Sequence, residues 1–123
     1  MEHWERSILR ETDTMQKSIE VLDKEALRIV MVVDGDKSLI GTITDGDIRR
    51  ALIKRLPLNT KLYEFMHKNP IVARKEDSDK SILSIIRRLD LLQIPIVDNN
   101  RKIIGLKTFQ NLLQDKRYDN PVI

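Results

Sequence analysis

Apolar positions along this chain recur in two alternating rhythms. Met15, Ile19, Leu22 and Ala26 return at the interval that lines one face of a helix, with Asp13 or Thr14 ahead of them as an N-cap. Arg28 to Val33 is rich in β-branched residues and predicts a strand. DGDKS, Asp34 to Ser38, predicts a turn, and Leu39 to Thr44 the returning strand. A second helix is expected from about Asp45, running through Ile48, Ala51 and Leu52. The same order follows again. Ser78 caps a helix carrying Ile82, Ile85, Ile86 and Leu89, Ile94 to Val97 is a strand, and DNNRK is a turn. Ile103 to Lys107 is the next strand, and a short helix contains Leu112 and Leu113. The connector KLYEFMHKNP has apolar Leu62, Phe65 and Met66, which predicts a helical turn lying on the core and ended by Pro70.

The two halves are one unit written twice. A displacement of 64 residues, the step from Arg10 to Arg74, aligns them without a gap. It lays Asp13 on Asp77, Val33-Asp34 on Val97-Asp98, Ile40-Gly41 on Ile104-Gly105 and Thr44 on Thr108. Ile19 meets Leu83, Leu22 meets Ile86, and Ile48 meets Leu112. Each copy reads strand, helix, strand, strand, helix. A sheet that short with two helices on one face buries too little to stand alone, so a pseudo-two-fold pair is expected. The predicted class is α/β in the broad sense (α+β), with repeats at residues 1–60 and 61–123.

The residues that carry a family resemblance are Gly41-Thr42-Ile43-Thr44-Asp45-Gly46-Asp47 and, in the other copy, Gly105-Leu106-Lys107-Thr108-Phe109-Gln110-Asn111. With Leu92-Gln93-Ile94-Pro95-Ile96-Val97-Asp98 they resemble the CBS domain, and the tandem resembles a Bateman module. The first copy matches the family's glycine, hydroxyl and aspartate pattern in full. The second has Asn111 for the aspartate and Lys107 at an apolar position, and Met31 stands in the first copy where Pro95 stands in the second. A narrower likeness joins the opening, TDGDIRR and the tail YDNPVI to the amino-terminal part of sugar-phosphate nucleotidyltransferases that carry a CBS pair. Pro121-Val122-Ile123 would then begin the first strand of a catalytic domain, and the chain would be a regulatory fragment.

The resemblance implies binding of an adenosine nucleotide in a cleft between copies: AMP first, with ADP, ATP or S-adenosylmethionine as the other candidates. Thr44 and Asp47 would hold phosphate and ribose, since a hydroxyl at a helix start suits an anion and a carboxylate can accept from both ribose hydroxyls. Ile71, Val72, Ile94 and Pro95 would supply the base pocket. Arg28 and Arg50 are candidate phosphate ligands, and Arg28 has Leu92 as its counterpart. Thr108 and Asn111 would form the counterpart site, expected to bind ribose more weakly or not at all, because an amide accepts through one oxygen only. Each residue also has a plain structural role: Thr44 as an N-cap, Asp47 as a first-turn carboxylate favoured by the helix dipole, Arg49 and Arg50 as a solvated face, Arg28 snorkelling at a strand end, Pro95 at a strand edge. A homodimer is expected by analogy.

Composition narrows the alternatives. The chain has 123 residues, 41% apolar and 33% charged, as in a soluble globular protein. Its longest aliphatic run, Ile29 to Val33, is far short of the roughly 20 residues that cross a bilayer. The charged start MEHWER is unlike a signal peptide, so the cytoplasm is the expected compartment. The absence of cysteine excludes disulfides, thiolate metal sites and thiol nucleophiles. A net charge of +3 with mixed signs and 4% aromatic residues argues against nucleic-acid binding, for which Arg49, Arg50, Lys54 and Arg55 would be the residues. His3 and His67 lie far apart and suggest no metal site, and Asp34-Gly35-Asp36 opens like a calcium loop but has Leu39 where a glycine is needed. No nucleophile, base and orienting group occur together, so the chain by itself is expected not to be an enzyme.

Overall fold

The structure, a computed structural model, describes residues 3–118, with side chains through residue 113. The chain divides into two compact units, Met1–Pro70 and Ile71–Ile123. In the first, β1 (Ile8–Arg10) is followed by α1 (Met15–Lys24), β2 (Val30–Val33), β3 (Leu39–Ile43), α2 (Asp45–Ile53) and β4 (His67–Lys68). In the second, β5 (Ala73–Arg74) is followed by α3 (Asp79–Leu89), β6 (Gln93–Val97), β7 (Ile103–Thr108) and α4 (Phe109–Tyr118). The predicted mixed α/β class and the strand, helix, strand, strand, helix order are both present.

The first unit is built on a four-stranded sheet ordered β1-β2-β3-β4, the second on a three-stranded sheet ordered β5-β6-β7. In each, the first strand pairs parallel to the second and the second antiparallel to the third. The 64-residue register extends to irregularities. A register shift falls between Val32 and Val33 in one sheet and between Ile96 and Val97 in the other. Asp13 Oδ2 accepts from the Arg10 amide at 2.8 Å, and Asp77 Oδ2 from the Arg74 amide at 2.9 Å. Thr14 accepts from the Lys17 amide and Ser78 from the Ser81 amide, so each helix starts on a hydroxyl cap. The hairpin turns also match. Asp34 Oδ1 accepts from the amides of Asp36 and Ser38, and Asp98 Oδ1 from those of Asn100 and Lys102. Lys37 and Arg101 take the left-handed backbone these turns require, with φ of 66° and 61°. The Asp-Gly-Asp sequence is thus a turn whose first carboxylate binds its own backbone.

Each unit has its own apolar cluster. Leu9, Met15, Val30, Val32, Ile43, Ile48 and Leu62 form the first, and Ala73, Ile82, Leu83, Ile86, Ile94, Ile96 and Leu112 the second. Three details differ from the sequence expectation. Helix α1 stops at Lys24, because Glu25 turns to an extended backbone (φ −94°, ψ 142°), and Ala26 is exposed instead of continuing the apolar face. Leu52 lies on α2 but is 48% exposed. The connector makes the expected turn, Leu62–Glu64, with Leu62 buried, and then adds strand β4 to the first sheet. Its backbone is tied to the first unit: the Leu62 amide donates to Asp13 O and the Tyr63 amide to Glu11 O. The compact units divide after Pro70, ten residues beyond the repeat boundary expected at residue 60.

Candidate functional site

The segment from Gly41 to Arg50 leaves β3 and enters α2. Thr44 occupies the N-cap position with an extended backbone (φ −124°, ψ 175°), which turns its amide and hydroxyl toward the first helical turn. Asp47 reaches back to it. Asp47 Oδ2 accepts from the Thr44 amide at 2.9 Å and from the Thr44 hydroxyl at 3.2 Å. The other oxygen, Oδ1, accepts from Arg50 Nη2 at 2.7 Å. The Asp47 side chain is 11% exposed and that of Arg50 64%. Thr44, Asp47 and Arg50 therefore form one constellation, as their spacing allowed. The Thr44 hydroxyl also accepts from the Asp47 amide, completing a capping box, so donating to a phosphate would require it to rotate away from the Asp47 carboxylate.

In the second unit the hydroxyl cap recurs, with Asn111 in place of the aspartate. The Thr108 hydroxyl accepts from the Asn111 amide at 3.0 Å, a simple cap. Ile94 and Pro95 are buried in β6. Strand β5 pairs only with Ile96 and Val97, so Pro95 lies on a stretch of β6 that β5 does not reach, and its missing amide costs no bond to β5. Ile71 is 45% exposed and Val72 half-buried, just ahead of β5.

Arg28 stands apart from the Thr44–Asp47 pair. It is exposed, has a left-handed backbone with φ of 60°, and precedes β2 instead of starting it. It lines a groove of about 480 Å³ with Leu22 and Asp23 from the end of α1, Ala26 just beyond it, and Asp45 and Ile48 from α2. Thr44 and Asp47 do not line this groove. Arg28 thus faces carboxylates and apolar side chains there.

The residue that sequence reasoning undervalued is Gly46. A Cβ built on it would lie 3.3 Å from Arg50 Nη1 and 3.6 Å from Nη2. The guanidinium folds back across this glycine to reach Asp47. The signal was the three-residue spacing from Asp47 to Arg50, which brings side chains together on a helix. Among the described residues, no group of three or more histidine, aspartate or glutamate side chains could hold a metal ion, and no helix is long and apolar enough to cross a membrane.

A family model described as "CBS domain" matches residues 8–54 and again 62–114. The protein belongs to the CBS domain family. Its tandem of two CBS domains covers most of the chain. A relative from Rickettsia prowazekii (strain Madrid E), "Uncharacterized protein RP505", is 33% identical over 106 residues, which is 86% of this chain and 33% of that protein. The chain spans between about a fifth and a third of the length of the first curated relatives it matches. Among solved structures, CBSX2 in complex with AMP is similar with a TM-score of 0.79 and 18% identity, over 91% of this chain and 87% of that one. A CBS domain pair solved with 5'-methylthioadenosine and S-adenosyl-L-methionine gives a TM-score of 0.79 and 20% identity, over 92% and 89%. At these identities the likeness establishes the fold.

Proposed function

We propose that this CBS pair is a non-catalytic sensor of an adenosine nucleotide, AMP first, and that Thr44 and Asp47 hold the ligand's phosphate and ribose. The observation that carries the reading is the state of Asp47. It is a carboxylate fixed at a helix start by Thr44, with its second oxygen held by an exposed and replaceable arginine. Amides at a helix start favour an anion beside it. Relatives by fold bind AMP, methylthioadenosine and S-adenosylmethionine, which supports the ligand class. Ile71, Val72, Ile94 and Pro95 are proposed as base contacts, and Thr108 with Asn111 as the degenerate counterpart. Arg28 is the weaker phosphate candidate, given its place beside Asp45.

The regulated partner proposed is an attached sugar-phosphate nucleotidyltransferase, supported by the TDGDIRR segment; the YDNPVI tail runs past Tyr118 outside the described residues. Ligand binding would shift how the pair packs on that domain, in a cytoplasmic homodimer. A second reading has its own observation: Asp47 already caps its helix, so the pair can be a ligand-free structural module. Calorimetric titration with a panel of adenine and guanine nucleotides, repeated on Asp47→Ala, separates the two. Binding of an adenine nucleotide that disappears in Asp47→Ala supports the sensor. A panel without heat and without a thermal shift supports the structural module.

A further inference from the structure

We propose that Arg50 selects nucleotide over nucleoside by exchanging the Asp47 carboxylate for the ligand's phosphate. This inference rests on the reading of Asp47 as the ribose acceptor. A carboxylate has about four acceptor positions, two on each oxygen. On Asp47, Oδ2 receives the amide and the hydroxyl of Thr44, and Oδ1 receives Arg50. One position is left. The two hydroxyls of a ribose need two, so a ribose meets a carboxylate that is one position short while Arg50 stays in place.

Arg50 is the donor most readily displaced. Its side chain is 64% exposed, and an ion pair so exposed is weak. What keeps it closed is local geometry. Gly46 lies in the first turn of α2, and no glycine among the described residues has positive φ, so the backbone there does not require glycine. Alanine would be the better helix former. The space above Gly46 is where the guanidinium rests, 3.3 Å from the position of a Cβ. A phosphate near the start of α2 offers that planar guanidinium two oxygens of a doubly charged group, a stronger partner than a single carboxylate oxygen. Arg50 then moves to the phosphate, and Asp47 Oδ1 is released to the ribose in the same step. A nucleoside has no phosphate and must compete with Arg50 for the carboxylate.

The second copy has lost all three parts together. At the same register Gln110, Asn111 and Gln114 replace Gly46, Asp47 and Arg50. The Thr108 hydroxyl keeps only the cap on its helix amide.

The test is calorimetric titration of AMP and adenosine into the wild-type chain, Arg50→Met, Gly46→Ala and Asp47→Ala, with melting temperatures to verify folding. Arg50→Met should weaken AMP about tenfold and tighten adenosine about two- to fivefold, the worth of an exposed ion pair. Gly46→Ala keeps the cation but crowds its resting place, so adenosine should tighten while AMP holds. Arg50→Met that leaves adenosine unchanged or weaker overturns the exchange. That result leaves the site intact if AMP binding still depends on Asp47. A flat AMP titration, or AMP binding indifferent to Asp47→Ala, removes the site itself and the exchange with it.

Discussion

Gly41 and Gly105 occupy the same position of the repeated motif, yet the structure predicts opposite responses to alanine. Neither has positive φ, so a methyl group acts through space and not through backbone strain. At Gly41 a Cβ would lie 2.5 Å from Met66 Sδ, 2.9 Å from Met66 Cγ and 3.0 Å from the backbone oxygen of His67. Met66 can swing away. His67 cannot easily do so, because it is paired with Thr42 in the ladder between β3 and β4. Overpacking of this kind costs about 1–3 kcal/mol. In a chain of this size each kcal/mol lowers the melting temperature by about 3–5 °C, so Gly41→Ala should lose about 3–15 °C. At Gly105 the nearest atoms are Cβ and Cγ1 of Ile96, both at 3.8 Å, which is ordinary contact. Gly105→Ala should leave the stability unchanged or raise it by a few tenths to about 1 kcal/mol, through the lower entropy of the unfolded chain. Thermal and urea unfolding of both variants, with Met66→Ala and the Gly41→Ala/Met66→Ala double variant, measure the effect. The double variant should show a favourable coupling of at least about 0.5 kcal/mol. Equal losses at Gly41 and Gly105, or a Gly41→Ala protein as stable as wild type, would refute the claim that this glycine exists to admit the connector.

Ile86, 1% exposed within the second cluster, should cost about 2–5 kcal/mol as alanine in urea unfolding. Asp34→Ala and Asp98→Ala each remove the acceptor of two turn amides, and each should cost about 1–2 kcal/mol. Near-equal values are expected, because the two turns share one geometry.

Much of this architecture is legible in the residues because duplication repeats each signal. A hydroxyl before an apolar face caps a helix wherever it occurs, and Thr14 and Ser78 both do so. The pairing of Arg10 with Asp13 and of Arg74 with Asp77 marks a turn that a single copy would not have revealed. What escaped depends on contacts across the fold. His67 and Lys68 are exposed and polar, with no alternation to announce a strand; β4 exists because Gly41 leaves room for it. Ala26 fits the helical rhythm, but the chain has already turned at Glu25. At the site, Thr44 was legible as an N-cap and Asp47 as a first-turn carboxylate; their bond to each other appears only in the structure. The fold-back of Arg50 did not follow from charge alone, since the guanidinium rests in space that a side chain at Gly46 would crowd. Arg28, read as the end of a strand, takes a left-handed backbone ahead of it and a place among the carboxylates of a groove.

The most direct test is to follow backbone amide resonances of the chain while AMP is added. The Thr44–Asp47 carboxylate site predicts shifts at Thr44 through Ile48 that saturate near one equivalent, with Thr108 through Asn111 responding weakly or not at all. Equal responses at both segments would contradict the asymmetry between the copies, and shifts that avoid Thr44 and Asp47 would contradict the site.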